Sequence, residues 1–182
     1  MSRANGAVGI VLAAGSGSRY GMPKVLAENG DWLRRAVAAL ADGGCDEVIV
    51  VLGAAVVEPP APARAVLAED WSDGMSASVR AGLAAADGGY AVLHVVDTPD
   101  VGADVVARLL TAARKAESGL ARATFAGRPG HPVVIAAAHW PAVTASLRGD
   151  HGARDFLAAR TDVVAVECAD LATGADIDTR SG

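Results

Sequence analysis

The feature that most limits what this chain can fold into is the alternation of short β-branched apolar runs with Ala-rich stretches of helical spacing. Val8 to Ala13 is the first run, closed by glycine, and it reads as a strand buried on both faces. Runs of the same kind recur at Glu47 to Gly53, Arg64 to Leu67, Ala91 to Val96, Leu120 to Phe125, Pro132 to Ile135 and Asp162 to Glu167. Helical spacing fills the intervals at Trp32 to Ala41, with Asp31 as its N-cap, and at Ser76 to Ala86, Ala103 to Ala116 and Gly152 to Ala159. His139 and Trp140 begin a further helix, and Gly43-Gly44 and Gly88-Gly89 stop two of the others. Strands buried on both faces need a helix layer on each side. The pattern therefore predicts one three-layer α/β/α domain over residues 1–182, with a mostly parallel sheet and right-handed crossovers. The stretch Glu58 to Pro62 is too short for an inter-domain linker and reads as a surface loop.

Composition narrows the class of function. A chain of 182 residues with 52% hydrophobic and 20% charged residues has material for a core and excludes a disordered tail protein. No apolar run approaches the roughly 18 residues that span a bilayer, and the N-terminus lacks a basic region followed by a long apolar stretch. Cys45 and Cys168 lie too far apart in sequence to form a CxxC pair or a zinc knuckle, so a reducing cytoplasm is expected. A net charge of −5 argues against an extended nucleic-acid surface and leaves room for a local cationic pocket.

In sheets of this kind ligands bind at the carboxyl ends of the strands, which directs attention to the loop after the first strand. It reads Ala13-Ala14-Gly15-Ser16-Gly17-Ser18-Arg19-Tyr20-Gly21-Met22-Pro23-Lys24. Small residues let backbone N–H groups approach an anion, and two cations in the same loop suit a polyphosphate; an ordinary flexible turn is the plainer reading. A dinucleotide fingerprint fits poorly. Tyr20 stands where Gly or Ala is needed, Pro23 obstructs a continuing helix, and no acidic residue follows the second strand at Leu52-Gly53-Ala54. The P-loop pattern fails as well, because Met22-Pro23-Lys24 follows Gly21.

The loop does fill every marked position of LxxGxGxRxGxPK, from Leu12 to Lys24. On these residues the chain resembles the MobA-like nucleotidyltransferases, and within them the molybdenum cofactor cytidylyltransferases, with a nucleotide-diphospho-sugar transferase-like fold. Downstream segments extend the resemblance in the family's order. Gly74-Met75-Ser76-Ala77-Ser78-Val79 is similar to a GMxxSl element, in which Ser76 and Ser78 face the nucleotide; a simple N-cap by Asp73 or Ser76 is the alternative. Asp97-Thr98-Pro99 is similar to a DxP element whose Asp holds Mg²⁺, or else forms an Asx turn, and Asp100 reads as a helix-start residue. Gly127 to Pro132 resembles GxPGHPv, where His131 contacts the acceptor or only steadies a turn. Arg148 to Arg154 resembles GDxGAR, which implies acceptor contacts from Asp150 and Gly152. Asp176-Ile177-Asp178-Thr179 resembles a C-terminal DIDT that completes the metal site; the family continues beyond it with Pro, whereas here Arg180-Ser181-Gly182 follow. His94 reads as a satisfied core histidine, and Trp32 and Trp71 as packing residues.

The resemblance implies attack by a terminal phosphate of molybdopterin on the α-phosphorus of an NTP, with release of pyrophosphate. Such an acceptor is already ionised, in keeping with a chain that shows no Ser-His-Asp or Cys-His arrangement. Leu12, Ala13, Ala14, Gly15, Ser16 and Gly17 would hold the nucleotide. Arg19 and Lys24 would neutralise the triphosphate, and Asp97, with Asp178 or Asp176, would hold Mg²⁺. The spelling Leu12-Ala13-Ala14-Gly15 accompanies cytosine in that family and LAGG accompanies guanine, so CTP is the expected donor. The resemblance leaves room for a molybdoenzyme or chaperone partner. Three other readings compete: transfer to another acceptor such as phospholactate or a sugar phosphate, or from GTP; a nicotine blue oxidoreductase-like enzyme, which needs a nicotinamide site this loop does not predict; and a nucleotide-binding module without turnover.

Overall fold

The computed structural model describes residues 3–179. Seven strands form one sheet: β1 (Ala7–Ala13), β2 (Glu47–Leu52), β3 (Arg64–Leu67), β4 (Tyr90–Val95), β5 (Leu120–Phe125), β6 (Arg128–Ala136) and β7 (Val164–Glu167). Their order across the sheet is β3-β2-β1-β4-β6-β5-β7. Helices α1 (Ala27–Asp42) and α3 (Ala103–Lys115) pack Leu33, Val37, Leu40, Val105 and Leu109 on one face. On the other face α2 (Met75–Ala85), α4 (Trp140–Ser146) and α5 (Arg154–Ala158) supply Val79, Leu83, Val143, Phe156 and Leu157. The three-layer α/β domain with a mostly parallel sheet is thus present, and no helix among the described residues is long and apolar enough to cross a membrane.

β1 is buried along its whole length, as its unbroken apolar run requires. Its Gly9 admits α1: a Cβ there would lie 2.8 Å from the Leu40 side chain. The parallel register is continuous from β3 through β2 and β1 to β4.

The crossover expectation fails at one strand. β6 runs antiparallel to both β4 and β5. Its reversal follows from the two-residue turn Ala126-Gly127, where both residues have positive φ (52° and 80°), the geometry of a tight hairpin. The hairpin extends β6 well beyond the expected Pro132 to Ile135 and brings the start of that strand beside the end of β4.

Three local expectations also need correction. Asp31 does not cap α1. Glu28, Asn29 and Gly30 form a left-handed turn ahead of the regular helix, and the Asp31 carboxylate accepts from Arg35 one turn on, at 2.6 Å. Asp100 does not open a helix either: its Oδ2 accepts from the backbone and hydroxyl of Thr173, tying the C-terminal segment to the β4 end of the sheet. His94 is buried, but its Nδ1 has no hydrogen-bond partner among the described residues.

Candidate active site

The β1 loop owes its shape to glycine. Gly17 has φ +64°, and a Cβ on it would lie 1.8 Å from the Met22 carbonyl oxygen, so the chain curls on itself only with hydrogen at that position. The curl is closed by the Gly21 N–H donating to the Gly17 carbonyl at 2.8 Å. It leaves the backbone N–H groups of Ser16 and Ser18 without a partner among the described residues. Pro23 then leads into a short 3₁₀ turn that carries Lys24. Tyr20 packs behind the loop against Trp32, ring centroids 5.3 Å apart.

The opposite wall joins two segments that are remote in sequence. Gly74 has φ +107°, and a Cβ there would meet Asp150 Oδ1 at 2.3 Å and the Gly149 carbonyl oxygen at 2.7 Å. The Ser76 N–H donates to that same carbonyl at 2.9 Å, and Gly152 lies against Met75. The GMSAS and GDHGAR segments are therefore one docked unit at the head of α2. The N-cap alternative is not what the structure builds, since Gly74 occupies the cap and no side chain bonds there. Between loop and unit lies a cleft of about 470 Å³ lined by Leu12 to Tyr20, Lys24, Trp71, Met75, Ser78, Asp97, Asp150 and Asp178 among others. Trp71 reaches it over Gly53, where a Cβ would collide with the Trp71 Cβ at 2.5 Å and the indole Cγ at 2.6 Å.

At the floor of the cleft Lys24 Nζ donates to Asp97 Oδ2 at 2.8 Å and to Asp178 Oδ1 at 3.2 Å. Burial works against the ammonium, yet the two carboxylates outweigh it and raise the lysine pKa above its ordinary value. The hydrogen bond from Lys24 in turn lowers the Asp178 carboxyl, against a smaller opposing effect of burial. Asp178 arrives because the Ile177 N–H donates to the Asp97 carbonyl at 2.9 Å, so the DIDT segment is fastened to the tip of β4. Asp97, Asp176 and Asp178 bring one oxygen each within 4.8 Å of one another. Three carboxylates so placed fit a hard divalent cation such as Mg²⁺.

The structure thus brings together Leu12, Ala13, Ala14, Gly15, Ser16, Gly17, Arg19, Lys24, Ser78, Asp97, Asp150 and Asp178 around one cleft. Asp176 joins them through the carboxylate cluster. Ser76 is buried and holds the wall through its backbone, and Gly152 supports Met75 from behind. His131 lies outside the lining, half-buried at the start of β6. Burial and the charge of Arg122 lower its pKa to about 4, with Asp97 acting in the opposite sense. Sequence reasoning passed over Tyr20, Ser72 and Met75 as lining residues.

Comparison with known proteins bears on the fold and the family. Nicotine blue oxidoreductase from Paenarthrobacter nicotinovorans is 38% identical over 186 residues, covering 94% of this chain and 91% of that protein. Among solved structures, Rv0371c from Mycobacterium tuberculosis superposes with a TM-score of 0.75 at 24% identity, covering 97% of this chain and 94% of that one. The 2-C-methyl-D-erythritol 4-phosphate cytidylyltransferase from Thermus thermophilus gives a TM-score of 0.66 at 28% identity, covering 94% and 92%. Residues 9–164 match the MobA-like NTP transferase domain, a span that takes in both walls of the cleft and Asp97, and the chain accordingly belongs to that family of nucleotidyltransferases.

Proposed function

We propose that the protein transfers CMP from CTP to the phosphate of molybdopterin, in the presence of a divalent cation, with release of pyrophosphate. The observation that carries this reading is Lys24 held by Asp97 and Asp178 at the floor of a cleft whose rim is the Gly-Ser loop. An acceptor phosphate oxygen forms the new bond to the α-phosphorus as the bond to the pyrophosphate oxygen breaks. The ionised acceptor loses no proton to the protein. The N–H groups of Ser16 and Ser18 and the cations Arg19 and Lys24 bind and neutralise the triphosphate. Asp97, Asp176 and Asp178 hold Mg²⁺, which supplies further neutralisation of phosphate charge when bound.

Ala14 is 2% exposed and lines the cleft, so its methyl group narrows the base end of the site and favours a pyrimidine. On this reading Asp150 in the cleft wall, and His131 outside the lining on β6, border the acceptor side, with Gly152 supporting the wall through Met75. The two free, buried cysteines suit a reducing cytoplasm, where a molybdoenzyme or its chaperone would receive the product. The test is pyrophosphate release on incubation with molybdopterin, Mg²⁺ and each NTP in turn. Release with CTP well above GTP supports the assignment, and release with no NTP sinks it.

A second reading, reduction with NAD(P)H, is favoured by the 38% identity to a protein named as an oxidoreductase. Against it stand the 3₁₀ turn that follows the loop in place of a helix, and the ending of β2 in Leu52-Gly53 with no acidic residue for a ribose. Tight binding of NAD(P)H, measured by fluorescence quenching of the tryptophans, would favour it.

A further inference from the structure

Three buried side-chain polar atoms lack a hydrogen-bond partner among the described residues: His94 Nδ1, Thr98 Oγ1 and Arg122 Nε. His94 and Thr98 flank the tip of β4. The register places Arg122 level with Leu93, since Leu93 pairs with Val133 of β6 and Val133 with Arg122 of β5, on the face of the sheet opposite His94, which pairs with Val11. His131 lies two residues nearer the β4 tip on the strand between. Arg122 is half-buried, engages no carboxylate among the described residues, and burial lowers its pKa from the ordinary arginine value. A guanidinium drawn out of water without an anion is unfavourable, and proteins ordinarily pair it. The Lys24 ammonium is already shared by Asp97 and Asp178, and burial and Arg122 hold His131 neutral at physiological pH, so neither supplies a free positive charge here.

We propose that Arg122 is the seat of the acceptor's anionic group, a phosphomonoester, on the side of Asp97 remote from the Gly-Ser loop, with His131 as a hydrogen-bonding neighbour. The planar fork of a guanidinium meets two phosphate oxygens at once, which an ammonium cannot do. This assignment rests on the transferase reading and adds to it the residue that fixes the acceptor. It also explains why an arginine interrupts a strand whose neighbours Ala121 and Ala123 are fully buried.

The test follows the Arg122 Nε resonance in ¹⁵N-arginine-labelled protein saturated with CTP and Mg²⁺, while inorganic phosphate is titrated in and acetate serves as control. Phosphate should shift Arg122 Nε and the His131 ring signals with one dissociation constant, and acetate should not. Arg122→Met should weaken phosphate binding by about tenfold or more, Arg122→Lys should recover part of it, and both should keep CTP affinity within about twofold. A resonance that phosphate leaves in place, an equal shift with acetate, or unchanged phosphate affinity in Arg122→Met overturns the proposal. The wild-type titration decides the matter even if a variant fails to fold. Phosphate seated on Arg122 in a protein that binds no CTP would support the seat and overturn the transferase reading.

Discussion

Replacing Lys24 with Met should have opposite effects on metal binding and on turnover. In the nucleotide-free protein the ammonium sits 2.8 Å from Asp97 and 3.2 Å from Asp178, so a divalent cation must displace it from both. Side-chain exposures of 23% for Asp97 and 45% for Asp178 mean water screens these pairs, and each is worth about 0.5–1 kcal/mol rather than the several that a dry site would give. Repulsion among the carboxylates is the same with and without the lysine and cancels, so the gain in Lys24→Met is the two ion pairs that the cation no longer has to break, together about 1–2 kcal/mol. Lys24→Met should therefore bind Mn²⁺ about tenfold tighter when nucleotide is absent, measured from the free-ion signal in electron paramagnetic resonance. Pyrophosphate release should fall by about ten- to a hundredfold, because a charge-assisted bond to phosphate is lost. Mn²⁺ affinity equal to or below that of the wild type refutes the idea that the lysine occupies the cation's place.

Ala14→Gly should relax the preference for CTP over GTP by about tenfold, since one methyl group in a tight pocket is worth roughly 1–3 kcal/mol; a preference indifferent to this change would remove the basis for assigning cytosine. Gly17→Ala should lower CTP affinity strongly while leaving the thermal midpoint within a few degrees, because the 1.8 Å clash with Met22 opens an exposed loop and not the core; calorimetric titration beside a melting curve checks both. For His94, burial first and then His131 lower the folded pKa from 6.5 to about 3. Its contribution to stability is full above pH 6.5 and is lost as pH falls below that, at about 1.4 kcal/mol per pH unit for its one proton. His131 adds a similar slope down to its own pKa of about 4. His94→Leu should remove about half of the decline in urea midpoint between pH 6.5 and pH 4.5, and an unchanged decline would place the acid sensitivity elsewhere.

Strands buried on both faces were readable because nothing but an unbroken β-branched run satisfies such a position. β2 and β5 fall where Glu47 to Gly53 and Leu120 to Phe125 predict them, with one residue lost from the end of β2; β3 also falls at Arg64 to Leu67, but as a mostly exposed edge strand. Direction was not readable for β6, since hydrophobic periodicity is the same in parallel and antiparallel strands; the hint was the two-residue spacing around Ala126-Gly127. Asp31 and Asp100 failed as caps for a common reason. A short carboxylate before a helix is equally at home on an arginine or on a distant backbone, and here Arg35 and Thr173 take it. In the candidate site, the loop and the carboxylates were legible from motif spacing. The contact of Lys24 with those carboxylates was not, because it joins segments that no local pattern relates.

That last contact also bears on the order in which a newly made chain becomes competent. Lys24 and Asp178 are separated by 154 positions, and Asp97 lies between them. A chain emerging from the ribosome can complete β1 to β4, and with them the lysine and the first carboxylate, long before Asp176 and Asp178 have been synthesised. A nascent chain would then display the glycine loop with a single carboxylate beneath it, a poor holder for a divalent ion. A cation held by all three carboxylates could bind only once the final segment had docked through Ile177 onto β4, so on the proposed metal reading Mn²⁺ affinity would rise only with completed folding.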